Sequence, residues 1–160
     1  MSGESVKAWL ADHAPDVRVI EGHGSTATVL DAAATLGVEP ARIAKTLAVR
    51  AGPLTFLLVT RGDARLSNAK SKAELGGRPR MLGPEETVAL TGHPVGGVCP
   101  FGLATPLPIY VDDSLKPFAT VFPAAGSRNS SVELTPQRLY ELVGERWVDL
   151  CTLPEEAGGA

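Results

Sequence analysis

Aromatic residues make up only 5% of this 160-residue sequence, so its core has to be assembled mainly from Val, Leu, Ile and Ala. Cysteine is scarcer still: Cys99 and Cys151 are too few for a disulfide framework and have no metal-ligand spacing. His13, His23 and His93 are scattered, and none forms a helical i, i+4 pair with another ligand, so neither a metal nor a cofactor is expected. No apolar run approaches the about 20 residues that span a bilayer. The first ten residues carry Glu4 and Lys7 where a secretory leader would be apolar. No membrane association is expected, and the default reading is a cytoplasmic, reducing compartment. Strong charge of one sign is also missing. A net charge of −3 argues against sequence-blind binding along a nucleic-acid backbone, but leaves room for binding a short RNA end.

What is present is an ordinary globular mixture, 44% hydrophobic and 21% charged. The length suits one domain, and a chain of this size buries roughly 70% of the surface its unfolded form exposes. A single domain over residues 1–153 is expected, with a disordered tail over 154–160. Charge is unevenly spread. Residues 61–80 hold Arg61, Arg65, Lys70, Lys72, Arg78 and Arg80 against Asp63 and Glu74, a segment of +4 that leaves −7 elsewhere. This is either a surface for RNA or a solvated face that happens to be basic.

Val6, Trp9 and Leu10 predict a helix over 5–13, and residues 17–20 read as a strand. Ser25 is the expected cap of a helix that Gly37 stops after Leu36, with Ala27, Leu30, Ala33 and Ala34 on its buried face. Two apolar runs, 43–49 and 54–60, flank Ala51-Gly52-Pro53 as a hairpin. Helices are expected over 67–75, 84–90 and 135–143, and strands over 107–111, 120–122, 131–134 and 146–150. The pattern implies an α/β (α+β) fold with a mixed sheet. No Gly-rich phosphate fingerprint follows the first strand, which speaks against a doubly wound nucleotide fold.

Three places carry chemistry. Lys45 lies on the strand face of Ile43, Leu47 and Val49 and so points inward or into a cleft, where it holds a phosphate or carbonyl unless its head snorkels to water. Gly96-Gly97-Val98-Cys99-Pro100-Phe101-Gly102 allows close backbone approach, and N–H groups converging there stabilise a developing oxyanion. Any tight loop shares that composition. Gly126-Ser127-Arg128-Asn129-Ser130-Ser131 suits the wall of a small-substrate pocket or an ordinary hairpin loop. Cys99, six residues from His93, is a further candidate nucleophile.

Four ordered stretches give these pieces a family context: Thr26-Ala-Thr-Val-Leu-Asp-Ala-Ala33 with Leu36-Gly-Val38, then Ile43-Ala-Lys-Thr-Leu47, Gly62-Asp-Ala-Arg-Leu66, and the long run from Leu90 to Gly102. Together they resemble the YbaK/EbsC family of aminoacyl-tRNA deacylases, related to the editing insertion of bacterial prolyl-tRNA synthetases. The resemblance covers roughly residues 20–150. It implies a mixed, partly barrel-like β-sheet packed by helices, with no metal or cofactor. It implies that Lys45 anchors the 3′ end of the tRNA, and that Gly96, Gly97 and Pro100 belong to a loop whose amides face the scissile ester. Thr26, Thr46, Val98, Cys99, Phe101, Gly102, Gly126 and Ser127 are the implied substrate contacts.

The implied partner is the acceptor end of a mischarged tRNA, with tRNA for proline the expected carrier. A synthetase or elongation factor is the implied presenter. Two departures matter: Val98-Cys99 stands where relatives often carry serine before the proline, and Ala124 lacks the nearby serine of cysteine-specific relatives. The aminoacyl group therefore stays open among alanyl, cysteinyl and seryl. Two rival readings stand beside ester hydrolysis in trans: a non-catalytic module that senses an amino acid or aminoacyl group or binds tRNA, and a Cys99-dependent hydrolase.

Overall fold

A computed structural model describes residues 2–155 of the chain. The opening helix α1 (Ser2–His13) buries Val6 and Leu10, the positions its helical spacing selects. After β1 (Val19–Glu21) comes α2 (Val29–Leu36), ended by Gly37 in the left-handed conformation at φ 69°. Its cap is Thr28, not Ser25: Thr28 Oγ1 accepts from the Asp31 amide at 3.0 Å. The reason is tertiary. The Thr26 amide donates to the Arg128 carbonyl at 2.6 Å, which keeps residues 25–27 out of the helix. The later start turns the buried stripe to Val29, Ala32, Ala33 and Leu36, and leaves Leu30 72% exposed, contrary to the expected face.

A short 3₁₀ turn at Pro40–Arg42 leads into the expected hairpin, β2 (Ile43–Ala51) and β3 (Leu54–Arg61). Their antiparallel register runs without a slip from Ala44 opposite Arg61 to Ala51 opposite Leu54. Phe56 to Val59 are fully buried, as a near-continuous apolar strand covered on both faces requires. On one face Ala44, Ala48, Leu57 and Val59 join the main core with Phe101, Val111 and Leu139. On the other, Val49, Phe56 and Leu58 pack with Tyr110, Leu150 and Cys151.

The chain continues through β4 (Arg65–Leu66), α3 (Asn68–Leu75), β5 (Pro79–Met81) and α4 (Pro84–Thr91). It then adds β6 (Ile109–Asp112), β7 (Phe122–Pro123), β8 (Ser130–Val132), α5 (Pro136–Val143), β9 (Arg146–Val148) and β10 (Cys151–Thr152). The central sheet runs β5-β2-β3-β6-β9, with β3–β6 and β6–β9 parallel, and β7 pairs in parallel with β2. Bridges from Val121 to Leu134 and from Ala124 to Ser131 carry the sheet on to β8, which pairs with β1. The sheet is therefore mixed and curls part-way to a barrel. The sequence shows no apolar alternation at β4, β5 or β10; β5 joins through its pairing with β2, and β4 and β10 pair with each other. Of the expected tail, Glu155 meets Arg61 at 2.7 Å, and residues 156–160 lie outside the described residues.

Asp112 ties the far side of the sheet together. It is 1% exposed; Oδ1 accepts from the Leu150 amide at 2.9 Å and Oδ2 from the Ser114 amide at 3.1 Å. Asp112→Ala strands both donors, so it is expected to lower the unfolding free energy by about 2–4 kcal/mol in urea titration, with Asp112→Asn costing less.

Candidate active site

The outer edge of β2 is interrupted, and a cavity occupies the gap. β7 lies beside Ile43 and Ala44, β5 beside Val49, Arg50 and Ala51, and the Leu82 amide donates to the Ala48 carbonyl at 3.0 Å. Among the described residues no strand lies beside Lys45, Thr46 and Leu47 on that edge. Main-chain direction alternates along an antiparallel strand. Since Ala48 presents its carbonyl outward, Thr46 presents its own N–H and C=O to the gap.

The cavity measures about 290 Å³. Ala44, Thr46 and Ala48, on one strand face, line it from β2; Val29 and Ala32 contribute from α2, Phe122 and Ala124 from β7 and the residues after it. Val95, Gly96 and Val98 supply the loop side, and Met81, Pro84 and Thr87 the remaining wall. Lys45 is the one ionisable residue among the lining, and its side chain leaves β2 on the face opposite that of Ala44 and Ala48. Its Nζ donates to the Ala64 carbonyl at 2.6 Å. Burial pushes the Lys45 ammonium below the ordinary lysine range, with Cys151 and Asp63 acting in the opposite direction.

Three loops are stitched into one wall. Arg128 accepts from the Thr26 amide through its carbonyl, and its Nε donates to the Val95 carbonyl at 2.8 Å. A Cβ on Gly97 would stand 2.8 Å from the Ser127 nitrogen and 3.0 Å from the Gly126 carbonyl carbon, so only glycine lets these loops meet. The Gly97 amide closes a turn on the Pro94 carbonyl at 2.9 Å. The amides of Gly96 and Val98, both lining the cavity, have no acceptor among the described residues. Gly96 has φ 89°, in the left-handed region that glycine adopts without strain.

Residues 23–142 match the family profile of the aminoacyl-tRNA editing domain. The chain belongs to that family. It is 48% identical over 153 residues to the uncharacterized protein YwhH of Bacillus subtilis (strain 168), covering 94% of this chain and 98% of that one. It is 29% identical over 149 residues to the "Putative Cys-tRNA(Pro)/Cys-tRNA(Cys) deacylase EbsC" of Enterococcus faecalis (strain ATCC 700802 / V583), covering 91% and 82%. A crystal structure of "a putative trans-editing enzyme for prolyl tRNA synthetase" superposes with a TM-score of 0.85 at 34% identity, covering 94% of this chain and 97% of that one.

In this editing domain Thr26, Lys45, Thr46, Gly96 and Val98 all line the cavity. Gly97, Gly126 and Ser127 lie behind it as the packed seam between two loops. Pro100 is buried away from the lining. Phe101 is fully buried against Trp9, ring centroids 5.6 Å apart, and Gly102 abuts Ser5 and Val6 of α1. These two residues anchor the loop to the main core and are not among the residues that line the cavity. Cys99 is not among them either. It is fully buried, with Sγ 3.5 Å from His93 Nε2. That ring nitrogen lies 2.7 Å from the Phe101 carbonyl, to which it donates, so it carries a proton and cannot take one from the thiol.

The contributions of Phe122, Met81 and Thr87 had no sequence signal, because β7, β5 and α4 meet at the cavity only in the folded chain. Arg128 had one, a lone cation in a loop of small polar residues. Arg61 is consumed by Asp63 and Glu155, and Lys70 by Asp149, so the basic segment does not present all its charge outward. Among the described residues no group of three or more His, Cys, Asp or Glu is placed to hold a metal ion, and no helix is long and apolar enough to cross a membrane.

Burial pushes the thiols of Cys99 and Cys151 up to about 12. At pH 8 the thiolate fraction is then on the order of one in ten thousand. Native protein is expected to resist iodoacetamide at both positions for hours and to label fully once unfolded, read by intact mass. Prompt native labelling of Cys99 would show a reactive thiol.

Proposed function

We propose that this chain hydrolyses, in trans, the ester of a small, wrongly attached amino acid on tRNA, with tRNA for proline as carrier. The observation that carries this reading is the pair of unengaged amides, Gly96 and Val98, on the wall of a small cavity lined by no carboxylate or imidazole. Such a site offers no carboxylate or imidazole for acid–base chemistry. It has the means to place an ester and to stabilise charge on its carbonyl oxygen.

In this mechanism water adds to the ester carbonyl carbon and the charge that develops on oxygen falls to the loop amides. Collapse breaks the bond to the ribose oxygen, which takes up the proton lost by water. Free amino acid and a tRNA with its terminal hydroxyl restored leave. The neighbouring ribose hydroxyl orients the water, so the chain needs no covalent nucleophile. Lys45 is assigned the acceptor-end phosphate, exchanging the Ala64 carbonyl for a charged oxygen. A synthetase presenting the tRNA fits a domain of net charge −3, whose own grip on RNA is weak.

The test is deacylation of alanyl-, cysteinyl- and seryl-tRNA for proline, with prolyl-tRNA as control. One mischarged ester is expected to disappear rapidly. Lys45→Ala is expected to lower kcat/KM by about 10–100-fold, the value of a hydrogen bond to a charged group. Absence of turnover with saturable, stabilising binding of an aminoacyl analogue would identify a sensing module instead.

A further inference from the structure

Thr46 turns its main-chain N–H and C=O to the opening in the edge of β2, and neither has a partner among the described residues. Its hydroxyl is buried, so the polar groups it offers a ligand are those of its main chain. An unpaired strand edge is a template for a further strand. The cavity lies where that strand would run. Phe122 of β7 and Ala124 line one end of it, Met81 of β5 and Leu82 the other, with Ala44, Thr46 and Ala48 between them.

The opening admits one residue. On one side of it β2 pairs with β7 at Ala44, and on the other the Ala48 carbonyl accepts from the Leu82 amide at 3.0 Å. Two residues that form a hydrogen-bonded antiparallel pair exchange both of their N–H···O bonds. An aminoacyl ester carries the same two groups as a strand residue, an N–H donor and a carbonyl acceptor on one α-carbon. The lining holds no carboxylate for its ammonium. Thr26 and Thr87 direct their hydroxyl protons to the Ser130 and Gly83 carbonyls, and the Thr28 hydroxyl accepts from the Asp31 amide.

We propose that the aminoacyl group binds as a one-residue strand in this opening, its α-ammonium donating to the Thr46 carbonyl and its ester carbonyl accepting from the Thr46 amide. The inference rests on the ester-hydrolysis reading. Strand addition takes its affinity from main-chain bonds, so this recognition falls on the groups that every aminoacyl ester shares, whatever its side chain. Charge on the ammonium strengthens its bond. The second lone pair of the ester oxygen stays open to the Gly96 and Val98 amides. An amine extended by an acyl group or a peptide runs into a strand already in place, so the site takes esters with a free α-amine and spares N-blocked ones.

Calorimetry on the whole chain compares three uncleavable amides of 3′-amino-adenosine: alanyl, propionyl, which lacks the amine, and N-acetylalanyl. The alanyl amide is expected to bind about 10-fold or more tighter than the propionyl one, the value of a hydrogen bond to a charged group, and the N-acetylalanyl amide no tighter than the propionyl. Hydrogen exchange followed by NMR reads the Thr46 amide directly, and saturation with the alanyl amide is expected to slow it about 10-fold or more. On tRNA for proline charged with alanine, N-acetylation is expected to lower kcat/KM by about 10-fold or more. An alanyl amide that binds no tighter than the propionyl one, a Thr46 amide whose exchange is unchanged in the saturated complex, or an N-acetylalanyl ester cleaved at the alanyl rate overturns the proposal. If the chain cleaves no ester, the hydrolysis reading fails by itself. The Kd ratio and the Thr46 exchange rate then decide the strand-addition inference: an alanyl preference with a protected amide upholds it, and equal binding sinks it.

Discussion

The interruption in the outer edge of β2 is the constraint on which the rest depends. An open strand edge presents unpaired N–H and C=O groups, which are costly when buried and prone to wrong pairing when exposed. Here the opening is three residues long, because β7 closes the edge from one end in parallel and β5 from the other in antiparallel sense. Neither strand is longer than three residues. Lengthening either would complete the ladder and erase the cavity, so the shortness of these strands is a functional property. It also explains why they are held by backbone pairing and not by apolar alternation of their own.

A site that works by placing an ester needs its dipoles fixed before the substrate arrives. The loop wall meets that need with few interactions. Arg128 joins the chain at Thr26 to the chain at Val95, and Gly97 lets the two glycine loops touch at backbone distance. Behind them Phe101, Cys99 and His93 form a dry anchor on α1 and the main core. The Cys–His pair thus belongs to the scaffold. Its burial holds the thiol protonated.

Much of this was legible in the sequence where local chemistry and tertiary structure agree. The hairpin, the Gly37 stop, the helices over 67–75 and 135–143 and the half-buried Lys45 follow from residues whose neighbours along the chain decide their conformation. Ser25 was misleading because its rival, the bond from Thr26 to Arg128, joins residues about a hundred positions apart. The placement of Phe101 and Gly102 away from the cavity lining has a related reason. They share a loop with Gly96 and Val98, yet the loop turns over, and its second half faces α1. Sequence proximity selected the loop and could not say which side of it looks into the cavity.

The strand itself gives two adjacent residues different surroundings. Lys45 and Thr46 lie on opposite faces of β2, and the main chain of Thr46 points along a third direction, to the edge. Charge, hydroxyl and peptide groups are thereby separated by a few ångströms without any loop to position them. A slip of one residue in the β2–β3 register would exchange the faces and put the ammonium where the hydroxyl stands. The two-residue turn at Gly52-Pro53, with Gly52 at φ 60°, sets that register at one end. Gly62 sets it at the other, since a Cβ there would stand 2.3 Å from the Pro40 carbonyl oxygen. The placement of Lys45 and Thr46 thus depends on the same two glycines, neither of which lines the cavity.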